Sequence, residues 1–562
     1  MKFSNEWVTY LDRGYNRVRD SLIARLKIKV PEITDFSENH ILIVIIEMFS
    51  GISEQINAYI DNLSRESFLS SARRFSSVLK HARAYDYHIK SRIPASVDLT
   101  FYLENSDGSI PTNNAEQVIP VGTIIEAGGV QFITIDQGYI PAGSTEVTVP
   151  AYQQESVVND NIGRTNGFAN QILRLPANIS EGTLQLVIDG QIYIFKETLA
   201  KSDYMDAHFT TTLAVDKTPV VVFGNGIQGV IPNRDKDVIA TYKTTLGKDG
   251  NDVQALTIDT ITSQISLTGL DDDLLKVKNE LAPTGGSEVE SMESIRKNSV
   301  LSLRTLEYAV TESDHEDIAK LAPGVADAVL RYTHPRYLEI FISPINGGAA
   351  SSALIQSTYD YIFSRRLLGR NITVKSAGQT EILLSFTLAT KFRHDATTNT
   401  NEVALALLDF YSAQKSNINR AIRYSDIISI IEENQSTDYV TITKLSTKPL
   451  PKPLGNNTKT LIATTLEVLP TSTERASWRI SYAGTQFVLY RDGKAQLAVA
   501  FDTEYTSADG SLQLRIPNGA YDTGDTWEFN TYPYNNDMEI NDYTLPVLSV
   551  TNLNIHNVEK IV

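Results

Sequence analysis

The run that most resembles a chemical site is Gly224-Asn225-Gly226-Ile227-Gln228-Gly229, a formal G-x-G-x-x-G preceded by the apolar segment VVVF. Such a run holds a dinucleotide pyrophosphate when a helix opens at its last glycine and turns its N-terminal amides toward the phosphates. Here VIPNRDKD follows, with Pro232 and Asn233 where that helix would run. A glycine-rich turn between strands is expected instead. Asp271-Asp272-Asp273 could offer oxygen ligands to calcium, but consecutive carboxylates lack the alternation and central glycine of an EF-hand loop. That points to a solvated acidic turn. His315-Glu316 has no second histidine four residues after the first, so the zinc-peptidase arrangement is not met, leaving a polar pair in the first turn of a helix. The other histidines are scattered, and neither a G-x-S-x-G elbow nor a Walker loop is found. Cysteine is absent, which excludes disulfides, thiolate metal sites and cysteine nucleophiles. No catalytic, cofactor-binding or metal site is expected, and the chain reads as a non-enzyme.

Trp478, Tyr482, Tyr490, Tyr505, Tyr521, Trp527 and Tyr532 concentrate aromatics near the C-terminus. They could line a sugar- or protein-binding surface, although cross-strand packing is the commoner use of aromatics in strands.

Stepping along the chain, the formal net charge is -17, from 50 basic and 67 acidic residues, with no dense Lys/Arg run. Nucleic-acid binding needs an electropositive footprint and is not expected. At 562 residues the chain exceeds the ~250–300 residues that one core reaches, so about three or four units are expected. The most apolar run, Ile41 to Ile46, ends at Glu47, short of the ~20 residues a membrane-spanning helix needs. The N-terminus MKFSNEWVTYLDRG carries acidic residues where a signal peptide would have its apolar region. No membrane partner is expected, and the chain reads as made and used from the cytoplasm.

Residues 1–93 read as a helical segment, with Pro31 separating two periodic stretches. In the first, Trp7, Leu11, Val18, Leu22 and Leu26 fall near one face. In the second, Leu42, Ile45, Phe49, Ile52, Ile56, Tyr59 and Leu63 alternate spacings of three and four, a heptad seam of the kind that packs against a partner helix. A third segment, Phe68, Ala72, Phe75, Leu79 and Ala82, continues the spacing. An intramolecular bundle and an intermolecular one both fit; the small core that so few residues can build adds weight to the second.

Residues 94–282 change to short runs bounded by Gly, Asn, Asp and Pro, an antiparallel β domain. VDLTFYL (97–103), VIPVGTIIEAGGVQFITI (118–135) and TEVTVPAY (145–152) are strand-like, and TLQLVIDGQIYIF (183–195) reads as a hairpin turning at Asp189-Gly190. Residues 283–447 read as a mixed α/β domain, with helices at 287–303, 311–322, about 350–368, near 401–416 and 424–434, and strands at 328–333, 337–344, 381–390 and 439–445. Thr311 with Asp314, and Ser287 with Glu290, resemble N-terminal capping pairs. KPLPKPL (448–454) reads as a stiff linker, residues 455–535 as an extra β module, and 536–562 as a tail with one short strand. The expected fold class is multidomain α+β: an N-terminal helical bundle segment, an antiparallel β domain, a mixed α/β domain and an inserted C-terminal β module.

The turns of the β region then line up with a known family. IPVGTIIEAGGVQFITIDQGYIPAGSTEVTVPAYQQESVVNDNIG (119–163) resembles the baseplate J-like family, in which a Pro-x-Gly-Thr strand, a Phe-x-Thr strand and a Pro-Ala-Gly turn follow one another. VVVFGNGIQGVIPNRDKDVIATYKTTLGKDGND (220–252) resembles that family's Phe-Gly-Asx-Gly and Gly-x-x-Pro turns and its glycine-rich loop. PTGGSEVESMESIRKNSVLSLRTLEYAVTESDHEDIAKLAPGVADAVL (283–330) resembles its Gly-Gly-x-(Asp/Glu)-x-Glu-Ser element, its Ala-Val-Thr cap and its Pro-Gly-Val turn. The resemblance covers about residues 95–447; the N-terminal helices fit by position only, and 455–535 departs from the family layout.

The resemblance implies a structural wedge subunit of a contractile bacteriophage-tail baseplate, assembled in the host cytoplasm and resident in the virion. A second copy of the chain and a slender wedge partner would complete a three-way helical bundle, with Leu42, Ile45, Phe49, Ile52, Ile56, Tyr59 and Leu63 facing it. Part of 283–447 would form a dimer or ring contact around the tail tube, beside neighbouring baseplate, sheath-initiator and fibre-network subunits. Rearranged contacts would relay host contact to sheath contraction. The alternative is a receptor- or glycan-binding tail protein acting through residues 455–535.

Overall fold

The N-terminal helices Tyr15–Lys29 (α1) and Ile41–Glu66 (α2) pack against each other. α1 stops two residues before Pro31, and Val30 has left the helical region (φ -136°, ψ 73°), which a following proline disfavours. α2 opens at His40, whose ring accepts the Leu42 amide at 3.3 Å. The structure is a computed structural model describing residues 14–559 apart from 38, 86, 106, 306–307, 335–336, 346, 368, 393, 413–416, 450, 454–460, 462, 464, 518, 520 and 541–542. Trp7 and Leu11 of the first periodic stretch therefore lie outside the described residues.

The third periodic segment does not prolong the seam of α2. After Glu66 the chain turns, and the Glu66 carboxylate accepts the Arg73 and Arg74 amides at 3.0 and 3.3 Å, at the start of Phe75–Ala84 (α3). Ala72, Leu79 and Ala82 are buried with Leu213, Ile295 and Leu321. Their spacing thus serves an intramolecular core.

Two sheets follow. In the six-stranded antiparallel sheet the strands run 260–261, 124–127, 130–134, 146–153, 96–103 and 275–279, and Leu99, Phe101, Ile125 and Phe132 fill its core. The seven-stranded sheet is antiparallel except where Gln191–Phe195 pairs parallel with His208–Leu213. Its hairpin turns at Asp189 and Gly190, both with positive φ (54° and 75°), as the sequence predicts.

The mixed region contains two cores. Met292–Thr305 (α4) and Glu312–Leu321 (α5) precede a sheet of strands 325–334, 337–344 and 371–376, against which Ser352–Phe363 (α6) packs. Ile318, Ile340, Leu354 and Ile362 form the first core. In the second, Gly378–Thr390 pairs antiparallel with Thr437–Thr447, and Ala396–Phe410 (α7) and Tyr424–Glu432 (α8) cover Phe386, Leu407 and Ile431. Thr311 and Asp314 form the reciprocal capping box predicted for α5. Ser287 does not cap α4: its backbone pairs with Ile93, and Ser291 Oγ accepts the Ser294 amide instead.

The C-terminal module has a five-stranded and a three-stranded sheet around Trp478, Phe487, Leu514 and Trp527. Within the expected linker, Lys452–Pro453 pairs with Trp527 and Glu528, so it is partly strand. The tail holds two strands where one was expected. Thr544–Val547 and Leu553–Glu559 both run parallel to Gly378–Thr390, and Met538 and Ile540 enter its core. The chain is a multidomain α+β protein.

Candidate interaction surface and polar junction

α2 carries two opposed stripes. Glu47, Ser50, Glu54, Asn57, Asp61 and Arg65 recur at three and four residues along one side. Of these Ser50, Asp61 and Arg65 are buried, as is Ile43 on the same side. The heptad residues lie about half a turn away. Ile45, Phe49, Ile52, Ile56, Tyr59 and Leu63 are 41–75% exposed, and Leu42 is half-buried. Ile41, Val44, Met48 and Ile60 widen the exposed stripe. An ordinary surface helix turns its apolar side inward; α2 does the reverse. The ten exposed side chains present on the order of 1,000 Å² of apolar surface, beyond the ~300–600 Å² of the largest patch on a typical monomer.

The expectation of no spanning segment rested on Ile41 to Ile46 alone. The full helix has 26 residues and is long and apolar enough, by length and composition, to cross a membrane. A single span would nevertheless set Glu47 and Glu54 in hydrocarbon, a costly placement for carboxylates, whereas a helical partner can cover one stripe and leave the other where it is.

Two of the glycine-rich motifs of the sequence meet, at Gly247 and Gly286. Gly286, from the Gly-Gly-x-Glu element, exchanges hydrogen bonds of 2.9 Å with the Asn251 side chain. A Cβ on Gly286 would stand 2.4 Å from the Gly247 carbonyl oxygen, so only glycine fits there. The false dinucleotide run is a closed loop: Asn225 Oδ1 accepts the Ile227 and Gln228 amides at 2.9 and 2.7 Å, and a strand, Asp237–Thr244, is the next element. Asp272 Oδ1 accepts the Leu267 amide at 2.7 Å within the acidic turn. His315 is wholly buried, its Nδ1 2.7 Å from the Thr311 carbonyl, and Glu316 accepts the Leu330 amide. Among the described residues no cluster of three or more metal-ligating side chains occurs.

Sequence reasoning missed a polar junction around residues 87–93, which leave α3 and lead to the first long strand. Glu181 accepts from His88 Nε2 (3.0 Å) and the Ser91 amide (2.6 Å). Glu290 accepts from the Tyr87 hydroxyl (2.9 and 3.1 Å) and the Lys90 amide (3.4 Å). Lys90 Nζ donates to the Leu321 carbonyl, and Phe195 meets the His88 ring edge-on at 5.5 Å. Burial alone would lower the His88 pKa, but the bond and charge of Glu181 prevail and raise it above 6.5. Burial alone would raise Glu181, yet His88 and Ser91 hold it below the usual range. Burial lowers Lys90 despite Glu290 and Glu181, and raises Tyr87 well above its ordinary value, reinforced by Glu290.

The aromatics at 478–532 are turned inward. Trp478 and Trp527 are fully buried, Tyr482 and Tyr532 nearly so, and Tyr490, Tyr505 and Tyr521 are half-buried. Among the described residues of 455–535, no large apolar side chain is exposed. Trp478, Tyr482, Tyr505, Tyr521 and Trp527 are therefore spent on the module's own core, and Tyr532 on that of the neighbouring sheet.

No family model matches the chain, and no curated protein matches it. Among solved structures it is similar to a chain of the anti-feeding prophage (AFP) baseplate, at 10% identity and a TM-score of 0.27, covering 76% of this chain and 86% of that one. It is also similar to a chain of the TssK-TssF-TssG baseplate subcomplex of a type VI secretion system, at 7% identity and a TM-score of 0.28, covering 59% of this chain and 96% of that one. At such values neither likeness fixes a role for the chain, and the resemblance to the baseplate J-like family rests on the ordered turns quoted above.

Proposed function

We propose that the chain is a non-enzymatic wedge subunit of a contractile-tail baseplate of the baseplate J-like kind. It works by forming and rearranging subunit contacts. The observation that carries this reading is the outward apolar stripe of α2, supported by the ordered turns between 119 and 330. A stripe at heptad spacing selects a helical occupant, since knobs at alternate three- and four-residue intervals fit the holes of another helix. A second copy of the chain and a slender helical wedge partner fill that place. Part of 283–447 supplies the dimer or ring contact beside sheath-initiator and fibre-network subunits. In this reading the protein resides in the virion's tail baseplate, is assembled in the host cytoplasm, and passes host contact to the sheath by repacking interfaces.

The test is co-expression of the full chain with the products of its neighbouring reading frames, followed by native mass spectrometry. The expected result is a complex holding two copies of this chain and one slender partner. Recovery of the chain only as a monomer, with every neighbour present and folded, overturns the reading.

A further inference from the structure

The junction at 87–93 contains more than its static hydrogen bonds. Its charges can be counted. Lys90 brings one positive charge and Glu181 and Glu290 two negative ones, so with His88 neutral the cluster is one negative charge out of balance; a proton on His88 makes it neutral. Of the other charged groups facing it, Glu197 pairs with Arg365 (3.1 Å), Arg92 with Glu288 (2.8 Å), Lys320 with Asp327 (3.2 Å), and Glu293 with Arg296; Lys243 lines the cavity it shares with Glu181, its pKa lowered by burial. Lys297, which is exposed, lines the cavity beside Lys90 and Ile93. The side chains of His88 and Glu181 are only 14% and 13% exposed, so solvent screens the imbalance poorly.

The segment also has room to move. Cavities of about 420, 340 and 220 Å³ lie against it, the first beside Lys90 and Ile93, the second beside Ile93 and Pro94, the third beside Tyr87 and His88. Its anchors come from separate parts of the fold: Glu181 from the seven-stranded sheet region, Glu290 from the turn before α4, and Leu321 from the end of α5.

We propose that residues 87–93 form a proton-controlled latch: with His88 protonated, the balanced cluster clamps the N-terminal helices to the β and α/β regions, and loss of that proton loosens the clamp. The latch stands on its own geometry and does not depend on the baseplate reading. The sign follows from linkage. A histidine whose folded value is raised contributes stability that is complete below about 6.5 and is lost as pH rises through the raised value.

The test is hydrogen–deuterium exchange on the full chain at about pH 6 and about pH 8.5, which bracket the histidine titration, with rates corrected for intrinsic exchange. In the wild type, peptides covering 87–93 and 181–184 are expected to exchange faster at the higher pH, as the His88 proton is lost. Strand Ala476–Tyr482 is expected not to change. His88→Gln removes the titrating group, and Glu181→Gln balances the cluster without a proton on His88. Each is expected to abolish the pH response, and Glu181→Gln supplies the test if His88→Gln does not fold. Equal corrected rates at both pH values in the wild type, or a wild-type pH response in either variant, overturn the proposal.

Discussion

The Ile52→Ala/Ile56→Ala double variant gives a direct measure of what the outward stripe of α2 does. Each isoleucine is 52% exposed in the free chain, so about half its surface remains to be covered by a partner. Full burial of such a side chain is worth ~1.5–3 kcal/mol, which leaves about 1 kcal/mol per position for assembly. Losing both weakens association by about 2 kcal/mol, or roughly 30-fold. The body of the protein should not respond, because among the described residues no α2 side chain belongs to its hydrophobic clusters. Sedimentation velocity over a concentration series, with the melting temperature as control, reads both effects. Ile52→Glu/Ile56→Glu should abolish association, since a carboxylate in a covered apolar seam is desolvated without a partner. If wild type and both double variants show the same concentration dependence at unchanged melting temperature, the stripe is not an association surface.

Gly286→Ala places a methyl group 2.4 Å from the Gly247 carbonyl oxygen and 3.0 Å from Ala95 Cβ; a loss of about 1–3 kcal/mol is expected, read by chemical denaturation. Thr311→Ala removes one half of the α5 capping box and should cost about 1 kcal/mol, seen as faster amide exchange in the first turn of that helix. Trp527→Ala empties the centre of the C-terminal module at a cost of about 3–5 kcal/mol. Limited proteolysis should then cut within 465–531 while strands 378–390 and 437–447, which belong to another core, stay intact.

Legibility followed the range of the signal. Short strands from 96 to 244, the Asp189-Gly190 turn and the Thr311 cap are set by neighbouring residues and could be read from the sequence. The α2 seam was legible as a periodicity, and the structure adds that Ser50, Asp61 and Arg65 on its polar side are buried. The segment after Glu66 carried the same spacing yet joined an intramolecular core, because periodicity names the apolar side of a helix and not its occupant. Ser287 looked like a cap because Glu290 stands three residues on, but Glu290 is drawn to Tyr87, 203 residues away. His88 and Glu181 are 93 residues apart, and Lys90 reaches a carbonyl at a separation of 231. Such pairings have no local signature. Neither has the tail: Leu553–Glu559 finds its place only once Gly378–Thr390 already offers an edge.

The C-terminal module leaves and rejoins its host at one spot. Its incoming residues Lys452–Pro453 lie beside the outgoing Trp527 and Glu528. On its return the chain reaches Asn535, whose amide donates to the Leu445 carbonyl and whose Oδ1 accepts the Leu445 amide. The host sheet is therefore a socket with two adjacent terminals. A cassette with neighbouring ends can be removed, exchanged or replaced at that point without re-threading any host strand. That gives both descent and protein engineering a place to change what the protein displays while keeping how it is built.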